Sequence, residues 1–168
     1  RVLGRAGAYA STGIMAVFIT CTSLFDTYKY PNIKLDGLCV YTNLPICGAL
    51  RGHGSTQARF ADESQMNMIA EELGLDPVEF RLKNAIQQGD LHPLNGKLIA
   101  SCGLSECIKK ATESAKWKKK KASGISSQGI GMACSTGYTA VHISKLSSSA
   151  AFIKFNEDGR ANLLTGAI

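Results

Sequence analysis

The four residues Gly74-Leu75-Asp76-Pro77 constrain the fold most strongly, because they stop one helix and start another. A glycine just after the last periodic apolar residue of a helix suits the left-handed C′ position of a Schellman motif. Asp76 can cap the next helix, and Pro77 fits the first position of that helix because no amide hydrogen is needed there. The pattern therefore predicts two consecutive helices joined by a short turn.

The helix before this turn is predicted to have Ser55 or Thr56 as its N-cap. Apolar side chains at helical spacing are expected to form its inner side, whereas Asp62 and Glu63 are expected to be exposed or to cap neighbouring groups. The second helix has a shorter apolar stripe and is predicted to end at Gly89. The expected inner residues are Ala58, Ala61, Met66, Ile69, Ala70 and Leu73 in the first helix, and Val78, Leu82, Ala85 and Ile86 in the second.

The remaining segments mix strand-like and helical patterns, and the whole predicts an α+β fold. Asp36-Gly37 interrupts a strand-like run and is typical of a hairpin turn, and a second hairpin is expected around residues 156–159. The change from helices to strands marks residues 121–128 as the predicted domain boundary. The other expected elements are an extended segment at 2–11, a buried helix at 14–25, strand at 32–43, a third helix at 104–115 with Leu104, Ile108, Ala111 and Ala115 on one face, and strands at 128–138, 150–155 and 161–166.

The composition is that of a folded protein, since 45% of the 168 residues are apolar and 19% are charged. This apolar content offsets the entropy of folding and excludes intrinsic disorder, and the absence of a heptad pattern excludes a coiled coil. The longest apolar run, at 13–21, is shorter than the roughly 20 residues that span a membrane, and no signal-peptide cleavage pattern follows it. We expect one domain, or pieces of two, with no membrane partner.

The formal net charge of +6 arises from one segment, residues 109–121, which contains seven lysines and one acidic residue. A nucleic-acid surface usually interleaves arginine and aromatic residues, and this run has Trp117 but no arginine, so nucleic acid is not an expected partner. Two interpretations stay open. The run is either a solvated helix end favoured by the helix dipole, or the acidic-partner surface of a non-catalytic interaction module.

Six cysteines and three histidines lack the spacing of a metal site. There is no Cys-x-x-Cys pair, and His53, His92 and His142 lie far apart, so no zinc or iron–sulfur ligation is expected from these residues. Without a secretory signal we expect reduced thiols and a cytoplasmic location, while a disulfide framework stays open. The cysteines are Cys21, Cys39, Cys47, Cys102, Cys107 and Cys134.

Residues 48–57 form a glycine-rich loop that leads into the first helix of the pair. The glycines allow backbone amides to approach a ligand closely, and a helix N-terminus favours an anionic or oxygen-rich group. Arg51 adds a guanidinium and Gln57 an amide. The loop lacks the Gly-Lys-Ser/Thr of a P-loop and the glycine spacing of a dinucleotide-binding fold. From these residues alone, a structural role and a ligand site both stay open.

Several segments together carry a likeness to a known family. They are Tyr-Thr-Asn at 41–43, Gly-Ala-Leu-Arg-Gly-His-Gly at 48–54, Gln57, Phe-Ala-x-Glu at 60–63 and Ile-Ala-Glu-Glu-Leu-Gly-Leu-Asp-Pro-Val-Glu-Phe-Arg-Leu-Lys-Asn at 69–84, with Gly-Ala-Tyr-Ala at 7–10 and Gly-Ile-Gly-Met-Ala at 129–133. In this order they resemble the large, molybdopterin-binding subunit of the xanthine dehydrogenase/aldehyde oxidase family.

The resemblance implies a molybdopterin-binding region of a molybdenum hydroxylase, with iron–sulfur clusters and FAD on other domains or subunits. It implies that Arg51 contacts the molybdenum–pterin unit, that His53 faces the substrate, and that this chain supplies no metal ligand. It further implies that residues 1–121 are the C-terminal part of a first molybdopterin-binding domain plus a connecting helix, and residues 122–168 the first strands of a second. The expected cofactor-binding residues are Ala49, Leu50, Arg51, Gly52, Gly54 and Gln57.

The chain departs from the family pattern at Leu50 and His53, where aromatic residues are common. Arg-Gly-His-Gly at 51–54, with Ser-Cys-Gly-Leu-x-Glu-Cys at 101–107, is more similar to the branch resembling 4-hydroxybenzoyl-CoA reductase, which removes a ring hydroxyl. A histidine beside the metal can donate a proton. The alternative is that His53 fills a polar loop position, and the sequence leaves both roles open.

The resemblance also places functional elements of the family elsewhere in the large subunit, among them the catalytic glutamate and further cofactor-binding loops. We therefore expect no catalytic residue in this chain, with His53 at most facing the substrate, and a catalytically incomplete piece of a longer polypeptide. The expected partners are the remainder of the large subunit and the iron–sulfur and FAD domains or subunits. Alone, the piece is expected to lack the cofactor and to self-associate through exposed apolar surface.

Overall fold

The computed structural model describes residues 1–122, 129–136 and 149–166, and the chain divides into two units, residues 1–137 and 138–168. Helices together with small sheets confirm the predicted α+β fold class. The predicted domain boundary lies partly on residues 123–128, outside the described residues, and stays a prediction. The elements are β1 (Val2–Gly7), α1 (Gly13–Ser23), β2 (Gly37–Tyr41), α2 (Ser55–Glu72), α3 (Pro77–Asn84), α4 (Leu104–Ser114), α5 (Trp117–Ala122), β3 (Ala151–Phe155) and β4 (Ala161–Thr165), with short 3-10 turns at Leu24–Asp26 and Gly52–Gly54.

Strands β1 and β2 pair in parallel, with Val2 opposite Gly37. Parallel strands need a long crossover connection, which here contains α1. The predicted hairpin turn at Asp36-Gly37 is therefore wrong, because residues 32–36 are irregular and Gly37 begins β2. Glycine suits this position, since a side chain there would come within 3.0 Å of the sulfur of Cys21 on α1.

Helix α1 lies where the sequence predicts a helix, but the expectation that it is buried is wrong. Its buried residues are Gly13, Thr22 and Ser23, near its two ends, whereas Ile14 is 53% exposed and Phe18 is 54% exposed. Apolar content predicts that a helix needs a covering surface, but it does not say whether the same chain provides it.

Helices α2 and α3 join through the predicted turn. Gly74 has a φ of 63°, and the amides of Gly74 and the next residue donate to carbonyl oxygens of the last turn of α2, as in a Schellman motif. Asp76 caps α3 by accepting from the amides of its first turn. Helix α3 ends at Asn84 rather than at the predicted Gly89, because the next residue, Ala85, has an extended ψ of 138°.

The core of the first unit lies among these helices and the extended residues 129–136. The third helix forms as predicted, and of its predicted face Ile108 is buried in this core, Leu104 and Ala115 are half-buried, and Ala111 is exposed. The described part of the predicted strand at 128–138 is not a strand, although Ile130 and Met132 pack against the core. The buried cluster consists of Tyr28, Met66, Val78, Ile108, Trp117 and Cys134.

In the second unit, β3 and β4 form the predicted antiparallel hairpin, with Ala151 opposite Thr165 and Phe155 opposite Ala161. The turn at 156–159 ends at Gly159, whose φ of 81° suits glycine. The strands' side chains are exposed throughout.

Candidate functional site

The glycine-rich loop enters α2 through three consecutive left-handed residues. The φ angles are 75° at Gly52, 50° at His53 and 101° at Gly54. Glycine adopts this region freely, whereas a residue with a Cβ atom loses about 1–2 kcal/mol there. The conformation of His53 is therefore imposed by its surroundings.

Gly54 holds the end of the loop against α1. A side chain at Gly54 would lie 2.2 Å from the carbonyl oxygen of Ala16. The Thr20 hydroxyl donates to the Gly54 carbonyl oxygen at 2.9 Å. Gly54 is also the N-cap of α2, so the predicted caps, Ser55 and Thr56, are wrong. Close approach of the two backbones excludes any residue but glycine at this point.

Thr12 holds the first half of the loop in a similar way. Its hydroxyl oxygen accepts from the amide of Ala49 at 3.3 Å, and a side chain at Gly48 would lie 2.6 Å from that oxygen. Thr12 precedes α1 and Thr20 lies on it, eight residues later, a spacing that returns to the same helical face. Neither threonine was among the predicted site residues, although this spacing is visible in the sequence.

A shallow cavity of about 260 Å³ lies beside the loop. Its lining includes the glycines Gly48 and Gly54, the polar residues Arg5, Thr20 and Gln57, and apolar residues of β1 and α1. A guanidinium, a carboxamide and accessible backbone suit an anionic or oxygen-rich ligand. Of the predicted residues, Gly54 and Gln57 meet here. Arg5 was missed because residues 2–11 gave no signal beyond an extended segment.

The other predicted site residues lie on the open side of the loop and do not line this cavity. Leu50 is fully exposed, and Arg51 and His53 are exposed as well. Among the described residues, neither the Arg51 nor the His53 side chain forms a hydrogen bond or an ion pair. Their polar groups are therefore available to a ligand or to another part of a protein. The exposed predicted residues away from the cavity are Ala49, Leu50, Arg51, Gly52 and His53, and Gln57, which lines the cavity, is exposed as well.

A buried charged cluster lies further along α2, and it corrects the expectation that Asp62 and Glu63 are exposed or capping. Glu63 is 5% exposed, and its Oε2 lies 2.8 Å from Nη2 of Arg81, which is 0% exposed. The Tyr28 hydroxyl donates to Oε1 of Glu63 at 2.5 Å. Burial and then this hydrogen bond raise the pKa of Tyr28 far above its usual range. The carboxylate is buried because a guanidinium and a phenol satisfy it.

Asp62 is buried beside two partners of its own. It accepts a 2.5 Å hydrogen bond from the Tyr30 hydroxyl, and its Oδ2 lies 3.7 Å from Nη1 of Arg59. Burial raises the pKa of Asp62, while the hydrogen bond from Tyr30 and the charge of Arg59 oppose that rise. Apolar periodicity could not identify these positions, since their partners lie on distant segments.

The described part of the lysine-rich segment carries charges of both signs. Trp117 is buried and donates to Oδ2 of Asp76 at 3.1 Å, and Lys110 pairs with Glu106 at 2.7 Å. The cavity of about 480 Å³ around Trp117 is lined by lysines and also by Glu79, Glu113 and Asp76. The described surface around this segment is therefore not purely basic.

Among the described residues, no group of histidine, cysteine, aspartate and glutamate side chains could hold a metal ion. The six cysteines are free thiols, so the disulfide framework that the sequence left open is not formed. Across residues 1–122, 129–136 and 149–166, no helix has the length and apolar character of a membrane span.

Comparison with known proteins identifies related sequences and structures. The family model of the molybdopterin cofactor-binding domain matches residues 1–85. The chain is 37% identical over 171 residues to the xanthine dehydrogenase molybdenum-binding subunit of Escherichia coli O157:H7, covering 99% of this chain and 23% of that subunit. It is 40% identical over 114 residues to the nicotinate dehydrogenase large molybdopterin subunit of Eubacterium barkeri, covering 68% of this chain and 27% of that subunit.

A solved structure shares the fold. The aldehyde oxidoreductase from Desulfovibrio gigas is similar with a TM-score of 0.71 and 26% identity, over 96% of this chain and 18% of that chain. The chain thus spans about a quarter of the length of the curated relatives it matches. The matched residues 1–85 include the loop, Thr12, Thr20 and the acidic residues of α2.

Proposed function

The chain belongs to the family of molybdopterin cofactor-binding domains, and from this premise we propose that its glycine-rich loop forms one wall of the cofactor site in a molybdenum-dependent oxidoreductase. Its likeness to xanthine dehydrogenase and aldehyde oxidoreductase proteins agrees with the predicted family resemblance. The observation that carries the proposal is the left-handed turn at 52–54, which lies beside the cavity and within the family match. The comparisons give no support to the alternative of a non-catalytic interaction module.

The loop residues fit such a cofactor. A molybdopterin carries a phosphate and a pterin ring rich in hydrogen-bonding atoms, so it needs cationic groups and accessible amides. Gly48 and Gly54 let the loop pack closely against Thr12 and α1, and both line the cavity together with Arg5 and Gln57. The cofactor supplies its own sulfur ligands to the metal, so a wall without protein metal ligands is compatible with it.

We assign roles to the loop residues on this basis. Arg51 would bind the anionic or oxygen-rich part of the molybdenum–pterin unit, because its guanidinium is exposed and unpaired among the described residues. Gly52 and Gly54 would offer backbone amides, and Gln57 would bind from the cavity. Ala49 and Leu50 would form the outer wall. When bound, the molybdenum supplies the redox chemistry, while these residues orient the group and exclude water.

His53 is proposed to face the substrate. It takes the place of an aromatic residue common in the family, and it is an exposed residue with a left-handed backbone. In a branch similar to 4-hydroxybenzoyl-CoA reductase, the imidazole would donate a proton to a departing ring hydroxyl. If the parent protein instead hydroxylates an aromatic, heterocyclic or aldehyde substrate, His53 would be a polar residue of the loop without a role in proton transfer.

The parent protein is proposed to be cytoplasmic and to combine this chain with the remainder of the large subunit and with iron–sulfur and FAD domains or subunits. The relatives extend well beyond the matched length, and several large apolar side chains of this chain are exposed. Uncovered apolar surface of this kind favours association. We therefore propose that the isolated chain lacks the cofactor and self-associates.

The decisive experiment compares Arg51→Ala with Arg160→Ala in the full-length parent protein. Arg160 lies on the β3–β4 hairpin with an exposed side chain, so it controls for loss of a surface arginine. Molybdenum and pterin content and turnover are expected to fall in Arg51→Ala and to stay normal in Arg160→Ala. Normal cofactor content and turnover in Arg51→Ala would refute the proposed site.

The role of His53 is tested with His53→Asn, since asparagine keeps a polar side chain and tolerates a left-handed backbone. If His53 donates a proton, kcat falls in this variant and the pH profile of kcat changes shape. An unchanged profile with normal turnover assigns His53 to the polar loop position instead.

The self-association of the isolated 168-residue chain is tested by sedimentation together with a dye that binds exposed apolar surface. Concentration-dependent association and dye binding are expected. A monomer that binds no dye would contradict the proposal.

A further inference from the structure

Helix α2 carries two buried charged residues, Arg59 and Glu63, which contact the extended residues 129–136. We propose that these two residues are positioning residues for the cofactor loop, because they fix helix α2, whose first turn continues from that loop. This inference rests on the proposed function of the loop, and the experiments below separate the two.

The contacts to residues 129–136 are short and specific. Oε2 of Glu63 accepts from the amide of Cys134 at 2.9 Å. Nη2 of Arg59 donates to the hydroxyl oxygen of Thr136 at 2.6 Å, and to the carbonyl oxygen of Ser23 at 2.6 Å. One arginine thus joins the end of α1 and the segment 129–136 to the same face of α2.

The spacing of these contacts defines a register. Residues four apart on a helix are separated by about 6 Å along its axis, and residues two apart in an extended chain by about 6.6 Å. Glu63 and Arg59 therefore match Cys134 and Thr136 in spacing, but in reverse order along the chain. The segment 129–136 runs antiparallel to α2, towards the end of the helix that carries the loop.

The burial pattern of the segment agrees with this register. Residues 130, 132, 134 and 136 are buried or half-buried, whereas residues 129, 131, 133 and 135 are exposed. Ile130 and Met132 pack against the core, and a slip by one residue would turn them outward. Apolar contacts alone tolerate small shifts, whereas the amide-to-carboxylate and guanidinium-to-hydroxyl bonds specify one alignment.

Fixing α2 in this way also fixes the loop. Glu63 is held by Arg81 and Tyr28 in addition to Cys134, so a rotation of α2 would break several buried bonds at once. At the start of the same helix, Gly54 lies so close to the Ala16 carbonyl that a Cβ atom would be 2.2 Å from it. The loop therefore tolerates little change in the orientation of α2.

The test uses the full-length protein with Glu63→Gln, and with Glu72→Gln as the control, because Glu72 is an exposed residue of the same helix. Glutamine keeps the volume but presents an amide donor to Arg81 or to the Cys134 amide. Hydrogen exchange at residue 134 and at residues 48–54 is expected to rise together by about 10–100-fold, and the cofactor is expected to dissociate faster. The control is expected to match the wild type.

A milder pair of variants keeps the test decisive if Glu63→Gln does not fold. Thr136→Val removes the acceptor of the Arg59 bond without changing the size of the side chain, and Thr136→Ser retains it. Loop exchange is expected to rise about 3–10-fold in Thr136→Val and to return to the wild-type rate in Thr136→Ser.

The outcomes separate this inference from the proposed function. Faster exchange at residues 134–136 with unchanged exchange at 48–54 would overturn the positioning role, whatever the cofactor content. A different result is that exchange at residues 134–136 and at 48–54 rises together in the variants while the wild-type protein binds no molybdopterin. That result would support the link between the segment and the loop, and it would overturn the proposed function instead. Equal loop exchange in Thr136→Val and Thr136→Ser would also overturn the positioning role.

Discussion

The two parts of helix α2 contrast sharply. At its N-terminus the chain is open: Arg51 and His53 are exposed, and three consecutive residues are left-handed. In its middle, Arg59, Asp62 and Glu63 are buried among tyrosines and arginines. Charged contacts thus anchor the middle of the helix, while the turn at 52–54 before it leaves its backbone accessible. A strained, open turn is supported by a well-packed segment a few residues away.

The largest expected effect on stability follows from removing the buried cation, Arg81. Arg81→Met would leave the carboxylate of Glu63 buried without its guanidinium partner and is expected to cost about 3–5 kcal/mol of the free energy of unfolding, measured by urea denaturation. Arg160→Met, at an exposed pair with Asp158, is expected to change it by less than about 1 kcal/mol. Equal small losses would show that the middle of α2 does not depend on its ion pair.

A smaller loss is expected where the loop meets α1. Gly54→Ala adds a Cβ atom 2.2 Å from the Ala16 carbonyl oxygen at a left-handed residue, and it is expected to cost about 2–4 kcal/mol. Gly74→Ala is the matched control, because Gly74 is also left-handed but nothing lies within 4 Å of a Cβ atom there. Its cost is expected to be about 1–2 kcal/mol by thermal unfolding. The same cost at both sites would mean that the loop can move away from α1.

A gain in stability is expected at the open end. His53→Gly relieves a left-handed backbone with a φ of 50°, and it is expected to raise the free energy of unfolding by up to about 1 kcal/mol. Lys116→Gly, at a φ of 53° between α4 and α5, is expected to behave alike. If the strain at His53 serves function, His53→Gly alone should lower cofactor content or turnover. A loss of stability in His53→Gly would contradict the idea that this turn is strained.

The smallest effect concerns Asp62. Its pKa in the folded protein is raised above the ordinary value of 3.8, mainly by burial. The folded state therefore binds this proton more tightly than the unfolded state does, and the contribution of Asp62 to stability increases as pH falls. Relative to Asp62→Asn, which keeps the acceptor for Tyr30, the wild type should gain stability in urea unfolding as the pH falls from neutral towards the ordinary pKa value of 3.8. A relative loss over that range would contradict the raised pKa.

The sequence predicts well what short-range chemistry decides. The turn at 74–77 was predicted because a glycine C′ residue and an Asp-Pro cap need no distant partner. The dipeptide Asp-Gly shows the limit of this logic. Asp158-Gly159 ends a hairpin turn. At Asp36-Gly37, by contrast, the glycine begins β2, which pairs in parallel with β1 across a connection that contains α1. Turn propensity is the same at both sites, and a long-range pairing decides between them.

In the candidate site, too, local features could be predicted and long-range contacts could not. Its loop could be found from glycines, an arginine and a following helix, but the support for the loop could not. Thr12, Thr20 and Arg5 act from a different part of the chain. The burial of Glu63 likewise depends on Arg81 and on an amide contributed by residue 134, which a periodic pattern around α2 cannot reveal.

The parallel pairing of β1 with β2 has a consequence for how the chain reaches its fold. Strand β1 leaves the ribosome before α1 and before the strand beside which it finally lies. Contacts between segments so far apart in sequence form slowly, because a long loop must close before they are gained. During synthesis β1 therefore lacks this partner until β2 has emerged, and the rate at which α1 folds affects how long that edge of β1 can pair with other chains.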